Sequence, residues 1–182
     1  MKYMSKLRCL LILLGIFVCP IICKADTNSI PSQFSLFYPV QFYPIEDSIT
    51  GLRINLVYGI NEDLRGIDLG LINDLDGYAH GLQMGGVNRV GGDFDGVQIG
   101  AVNVVDGAVR GFQVAAFVNV TKSSYKGLQV AGFFNDAEQE MNGIQLGLFN
   151  RAGTLNGIQV GLLNYDEDTS RLGFLPFIHA TF

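Results

Sequence analysis

The amino-acid sequence predicts an all-β protein, a single-domain β-solenoid, and three observations support this prediction. An octet of the form Gly-apolar-Gln-apolar-Gly-apolar-apolar-Asn recurs, with its leading glycine at positions 51, 66, 81, 96, 111, 127, 143 and 157. Inside each octet, apolar residues alternate with polar or small ones, and a period of two is typical of a β-strand. The steps of 14 to 16 residues between octets are nearly constant. Together these features indicate about eight stacked coils of about 15 residues each.

The recurring glutamines form the candidate binding site. Strands of neighbouring coils lie about 4.8 Å apart, so that like residues stack on like residues. Stacked side-chain amides either satisfy one another along the stack or form a flat face for a carbohydrate, a protein partner or a second copy of the chain. The second alternative makes the glutamine ladder a binding surface. Its members are Gln83, Gln98, Gln113, Gln129, Gln145 and Gln159.

The recurring asparagines are predicted to mark structural turns. The alternation breaks just before each of them, where two neighbouring residues such as Leu148 and Phe149 are both apolar. Asparagine tolerates left-handed backbone and caps turns with its side chain. The chain is therefore expected to round a corner at each of these positions. They are Asn73, Asn88, Asn103, Asn119, Asn135, Asn150 and Asn164.

Two apolar sets are candidates for the core. The stricter set lies inside the octets, and it is expected to point into the solenoid; it includes Val97, Ile99, Val114 and Val130. A second, weaker set flanks the octets and is expected on the return side of each coil. Its members are Leu64, Phe94, Val109, Tyr125, Met141 and Leu155 before the octets, and Leu75, Val90, Val105 and Ala152 after them.

The N-terminus predicts a secretory signal peptide at residues 1–25. Lys2, Lys6 and Arg8 precede the apolar run from Leu10 to Val18, and Cys23-Lys24-Ala25 has the small residues of a cleavage site. The run is shorter than the roughly 20 apolar residues of a spanning helix. A lipoprotein signal that ends at Cys19 or Cys23 is the alternative.

Cleavage after Ala25 divides the rest of the chain into three parts. Residues 26–50 form an N-terminal segment and cap, 51–170 the repeat domain, and 171–182 a C-terminal cap strand. Both ends are rich in aromatic residues and proline, which suits caps over the open ends of a solenoid core. All three cysteines lie in the removed piece. The mature chain is therefore expected to contain neither a disulfide nor a thiol nucleophile.

The competing architecture is an outer-membrane β-barrel of about ten strands. An uncharged apolar stripe can face lipid while Gly and Gln face the lumen, and the eight repeats with the two terminal segments give an even number of strands. Uniformly short connections argue against it, because such barrels alternate short turns with long loops. Stacking also explains why the repeats are so alike, whereas a meander does not.

Composition argues against nucleic-acid binding and against catalysis. The chain has 12 basic and 17 acidic residues, and loss of the signal peptide makes it more acidic still. Nucleic-acid backbones are bound by Lys and Arg, so no nucleic-acid partner is expected. His80 and His179 are the two histidines and stand far apart in the sequence. No catalytic group, metal or cofactor is therefore predicted.

Two acidic turns leave calcium as an alternative. Asp74-Leu-Asp-Gly77 and Asp93-Phe-Asp-Gly96 place carboxylates two residues apart before a glycine, as at the start of a calcium loop. Neither continues to a distal glutamate in loop register, and Asp and Gly are also ordinary turn residues. The remaining acidic residues are expected to keep the surface soluble.

The tandem octets, the aromatic lead-in from Phe34 and the ending Phe174-Leu-Pro-Phe177 resemble the surface-repeat proteins of leptospiral type found in spirochaetes and Bacteroidetes. The resemblance covers about residues 34–182. The first unit, Gly51 to Tyr58, departs from it because it lacks the ladder Gln and Asn. The resemblance implies export to the cell surface or outer membrane of a Gram-negative-type bacterium, and the missing catalytic groups predict a non-enzymatic protein. Its expected partners are envelope or extracellular proteins or glycans, with self-association and outer-membrane association, as a pore or an anchor, left open.

Overall fold

The structure is a computed structural model that describes residues 29–37, 40–41, 43–168 and 174–182. The predicted signal peptide lies outside the described residues. Within these described ranges, eleven strands form one sheet. They are β1 (Ser29–Phe37), β2 (Val40–Gln41), β3 (Ser48–Asn61), β4 (Leu64–Leu75), β5 (Ala79–Val90), β6 (Phe94–Val105), β7 (Val109–Thr121), β8 (Tyr125–Ala131), β9 (Phe134–Leu146), β10 (Phe149–Asp166) and β11 (Leu175–Thr181).

The sheet winds as a β-solenoid of about nine turns, which confirms the predicted fold class. From β3 to β10 each strand pairs in parallel with the next along the chain, and the sheet order is β11-β10-β9-β8-β7-β6-β5-β4-β3-β1-β2. Neighbouring strands of an outer-membrane barrel are antiparallel. The ten-stranded barrel alternative is therefore wrong.

Register follows the sequence repeat. Between β5 and β6, Gly81 pairs with Gly96, Gln83 with Gln98 and Asn88 with Asn103, and the same alignment continues through the stack. Each octet is thus one side of a coil, stacked directly on the octet before it.

The leading glycines bend the strand at a fixed place in every coil. All eight have a positive φ, between 131° and 152°, a region that residues with a side chain rarely adopt. A Cβ added at Gly81 would also collide with the backbone oxygen of Gly66 in the preceding coil. Glycine is therefore required both for the bend and for the close approach of the coils.

The hydrophobic core contains the weaker apolar set together with Ile49, Ala79 and Ala137, which confirms that this set belongs to the core. Two rows of side chains meet inside the stack, and each member is at most 2% exposed. The first row is Ile49, Leu64, Ala79, Phe94, Val109, Tyr125, Met141 and Leu155; the second includes Leu75, Val90, Val105, Ala137 and Ala152.

The two ends of the stack are covered differently. At the N-terminal end β1 continues the parallel stack by pairing with β3, and β2 folds back antiparallel on β1. At the C-terminal end β11 pairs antiparallel with β10 and places His179 opposite Gln159.

Candidate functional site

The glutamine ladder lies in the interior. All six members are 0% exposed, so that the expectation of an open binding face is wrong. From Gln98 to Gln159 each side chain donates from Nε2 to Oε1 of the glutamine in the preceding coil, as from Gln98 to Gln83 at 2.7 Å and from Gln113 to Gln98 at 2.8 Å, whereas Gln83 donates to Asp68. A primary amide carries both donors and an acceptor, which lets it satisfy neighbours on both sides in a dry interior. The ladder is therefore structural.

The asparagines form a second interior ladder that runs the other way. Asn88 donates from Nδ2 to Oδ1 of Asn103 in the following coil at 2.8 Å, and the pattern holds from Asn73 to Asn164. The same Nδ2 of Asn88 donates to the backbone oxygen of Ile99 at 2.9 Å. None of these asparagines has a positive φ, so the corner does not use a left-handed residue at Asn. Each asparagine instead ties a corner to the next coil.

The first two coils complete the ladders with different residues. Arg53 and Asp68 occupy the glutamine row, and Arg53 donates from Nε and Nη2 to the two Asp68 oxygens at 2.8 and 2.6 Å. Gln83 donates to the same carboxylate at 2.9 Å. In the asparagine row, the first coil has Gly59, and the side chain of Asn55 fills the space beside that glycine. Asn55 donates from Nδ2 to Oδ1 of Asn73 at 2.9 Å. The first coil lacks the usual residues but keeps the hydrogen bonds.

The stricter apolar set points outward and forms what we call the apolar face. Ile99, expected inside, is 37% exposed, and the same correction applies to Val97, Val114 and Val130, which lie partly exposed on this outer side. The flat part of the face has two rows: Leu52, Ile67, Leu82, Val97, Phe112, Leu128, Ile144 and Ile158, and beside it Ile54, Leu69, Met84, Ile99, Val114, Val130, Leu146 and Val160.

A corner of large side chains widens the apolar face along one edge. Its most exposed members include Phe117 at 60% and Leu71 at 56%. Phe133 and Phe149 stack edge to face there, with ring centroids 5.2 Å apart. The exposed corner residues are Leu56, Val57, Leu71, Val87, Phe117, Phe133, Leu148, Leu162 and Leu163.

The apolar face is large and uncharged. Neither its two flat rows nor its corner contains Asp, Glu, Lys or Arg. Eight coils at about 4.8 Å and about six residues at about 3.3 Å give it an area of roughly 700–800 Å². The largest apolar patch on a typical monomer is about 300–600 Å², and patches above that size mark interaction sites. This face is therefore the candidate functional site.

Charged residues concentrate on the other sides of the coils, where several form salt bridges. Arg89 bridges Asp74 at 2.8 Å and Asp106 at 3.3 Å, and Lys122 reaches Asp106 at 2.6 Å. The hydrogen bond from Lys122 lowers the pKa of Asp106, whereas burial raises the pKa of Asp136 despite its ion pair with Arg151.

Two tyrosines are held in their neutral form. Burial, helped by a hydrogen bond to Asp74, raises the pKa of Tyr58 to about 12. Burial also raises the pKa of Tyr125, which is 0% exposed. Its hydroxyl donates to the backbone oxygen of Leu128 at 2.7 Å and accepts from the backbone N–H of Gln113 at 3.0 Å. Tyr125 is thus a structural tyrosine of the core.

Of the two acidic turns noted in the sequence, the one at Asp93 bonds to the backbone of the next coil, and the one at Asp74 and Asp76 pairs with Arg89. Asp93 accepts a hydrogen bond from the backbone N–H of Ala108 at 2.8 Å, and Asp63 accepts one from Tyr78 at 2.8 Å. Across the described ranges, no group of three or more His, Cys, Asp or Glu side chains is placed to hold a metal ion.

One row of residues borders the flat part of the apolar face, two positions before its first row. It consists of Thr50, Arg65, His80, Asp95, Arg110, Lys126, Asn142 and Asn156, and we call it the basic border. Arg65, Arg110 and Lys126 are exposed, and within the described part of the chain they form no salt bridge, unlike Arg53, Arg89, Lys122 and Arg151.

A shallow groove of about 530 Å³ runs beside the basic border. Arg65, Tyr78 and Arg110 line it, and the Arg65 guanidinium lies 5.4 Å from the centroid of the Tyr78 ring. His80 lies 3.9 Å from Asp95 on the same border, whereas His179 is buried in β11. The structure does not bring the two histidines together.

The fold and this surface define a class of protein: a β-solenoid with an amide-lined interior and one apolar outer face. Comparison of the chain with protein-family models, curated proteins and solved structures gives no match. The described residues include no helix that is long and apolar enough to cross a membrane.

Proposed function

We propose that this protein is a non-enzymatic, exported repeat protein of the cell envelope that acts by binding through its apolar face. The observation that carries the proposal is the continuous, uncharged and exposed surface of that face. Export, the envelope location and a protein or glycan partner remain proposals from the sequence pattern and its family resemblance.

The size of the face supports stable association. Burial of roughly 700–800 Å² of apolar surface at about 25 cal/mol per Å² contributes on the order of 20 kcal/mol. Association costs about 4–15 kcal/mol in lost motion, before side-chain ordering is counted. The apolar area of the face therefore favours association without requiring polar contacts.

The interior ladders support a rigid scaffold beneath the face. From the third coil onward, each outward residue of the flat rows is next in sequence to a ladder glutamine, as Ile99 is to Gln98, and the glutamines from Gln83 to Gln145 bond to the coils on either side. A partner therefore meets a preformed surface.

Two charges on the face test the proposal. The double variant Leu71→Glu with Leu148→Glu alters two exposed positions of the corner, so the fold should survive, as judged by circular dichroism. Because a carboxylate resists transfer from water, retention on phenyl-derivatised agarose should fall roughly a hundredfold. Sedimentation measures self-association in parallel.

A matched control carries the same two charges elsewhere. Gln139→Glu with Thr154→Glu places them at exposed positions on the charged side. This control should bind the resin as the wild type does. Equal retention of the wild type and the corner variant would overturn the proposal, because binding would then not use the apolar face.

A further inference from the structure

We propose that the apolar face binds a phospholipid bilayer with anionic headgroups, and that Arg65, Arg110 and Lys126 of the basic border contact those headgroups. This inference rests on the proposed function, because it names the partner of the same face. Its two supports are the chemistry of the face and the charge along its border.

The chemistry of the face favours lipid over a protein partner. Protein interfaces carry about one hydrogen bond per 100–200 Å², and even homodimer interfaces are only about 65% apolar. The two flat rows offer apolar side chains alone over eight coils. Acyl chains require neither hydrogen bonds nor matched shape. A fluid lipid surface therefore covers such a face at no cost in unsatisfied polar groups.

The charge along the border matches an anionic surface. Proteins that lie in the membrane interface combine an apolar face with Lys or Arg beside it. Here the basic residues without a salt bridge among the described residues, Arg65, Arg110 and Lys126, all stand in the basic border. Asp95 is the single carboxylate of that row and lies near His80. Long side chains let these cations reach headgroup phosphates while the apolar rows enter the acyl region.

The proposed binding of the protein to the membrane is peripheral. Exposed residues such as Phe117 and Leu71 protrude from the corner, and apolar faces of this kind enter the boundary between headgroups and acyl chains by about 5–10 Å. The paired charges of Arg89 and Arg151 remain in water on the other sides.

A single tryptophan provides the test, because the chain has none of its own. The variant Phe117→Trp is placed on the face and Thr154→Trp on the charged side as its control, both in the full chain. With vesicles that contain phosphatidylglycerol, emission from the first variant should shift to the blue and that from the second should not. With pure phosphatidylcholine the affinity should be lower, and added salt should weaken binding to the anionic vesicles.

Charge variants in the Phe117→Trp background test the border. Arg110→Gln with Lys126→Gln should weaken binding to the anionic vesicles roughly thirtyfold, and Asp95→Asn should strengthen it roughly fivefold. Lys122→Gln removes an exposed basic residue outside the border and should leave affinity within about twofold.

The outcomes separate the two proposals. A blue shift that depends on protein concentration and not on vesicles would assign the face to a second copy of the chain, which overturns the lipid inference and keeps the proposed function. Equal affinity for both vesicle types would overturn the role of the border. If Phe117→Trp emits as a tryptophan in water under every condition, the lipid inference is overturned. If, in addition, the corner variant binds the resin as the wild type does, the proposed function is overturned too.

Discussion

The inward and outward sides of the same strand differ in a way that reverses the usual arrangement. Gln98 is fully buried and polar, whereas its neighbour Ile99 is apolar and 37% exposed. The inward side is satisfied because stacked coils bring each glutamine from Gln98 to Gln145 within hydrogen-bond distance of two others. The outward side is left apolar because no coil needs it for stability. The difference shows that burial in this fold follows hydrogen bonding along the stack.

The largest expected effect on stability comes from breaking the ion pair of Arg53 and Asp68, which lies at one end of the glutamine ladder. Arg53→Met leaves Asp68 buried without its ion pair, which should cost about 3–5 kcal/mol in the free energy of unfolding. Urea denaturation measures this loss.

The double variant Arg53→Gln with Asp68→Gln sharpens the test. It extends the amide ladder into the first two coils, so it should regain most of the stability that Arg53→Met loses. A double variant no more stable than Arg53→Met would show that the first coil needs the ion pair itself and not a continuous ladder.

A smaller effect is expected where the asparagine ladder meets a glycine. A Cβ at Gly100 would lie 2.7 Å from Nδ2 of Asn88 and 2.8 Å from Oδ1 of Asn103, two atoms that are hydrogen-bonded to each other. Gly100→Ala should therefore cost about 1–3 kcal/mol in urea denaturation. An unchanged free energy of unfolding for this variant would mean that the asparagine side chains can move aside for the methyl group without loss of stability.

The matched control is Ala115→Gly. Ala115 is the residue that pairs with Gly100, and its coil has one more residue before Asn119, which makes room for the methyl group. Its replacement should cost about 1 kcal/mol or less.

The smallest effects concern Asp106 and Asp136, two carboxyl groups away from the apolar face. Their contributions to the free energy of unfolding depend on pH. The folded pKa of Asp106 is lowered, so its contribution is present above the unfolded pKa and is lost as the pH falls through the folded value. The folded pKa of Asp136 is raised, so its contribution is present below the unfolded pKa and is lost as the pH rises through the folded value.

Asparagine variants separate these two contributions. Asp106→Asn should flatten the loss of stability between neutral and acid pH, whereas Asp136→Asn should steepen it, each by less than about 1 kcal/mol. Urea denaturation across this pH range checks the signs. A change in the same direction for both variants would contradict the assignment.

The architecture could be predicted from the sequence, because a constant spacing and a period of two require stacked strands. Which face of each strand is buried could not be predicted in the same way. A period of two defines two faces but does not say which is inside, and the general tendency places Ile inside and Gln outside. Stacking overrides this tendency, since it supplies hydrogen-bond partners along the glutamine and asparagine ladders.

One signal in the sequence does point to the correct side. The ladder position keeps Gln in six octets, while the next position varies among Ile, Leu, Met and Val. A hydrogen-bonded ladder needs one chemical group at one place, whereas an exposed apolar row tolerates different shapes. The role of Asn55 gave no such signal, because its side chain serves a position four residues away, at Gly59.

The most direct test of the inverted arrangement compares the thermal unfolding of Gln98→Lys and Ile99→Asp by circular dichroism. The buried lysine leaves an unpaired charge among the amides, and the loss of several kcal/mol should lower Tm by about 10 °C or more. The aspartate at the exposed position should cost about 1 kcal/mol and lower Tm by about 2–4 °C. Unfolding of Ile99→Asp together with a native-like Tm for Gln98→Lys would contradict the account.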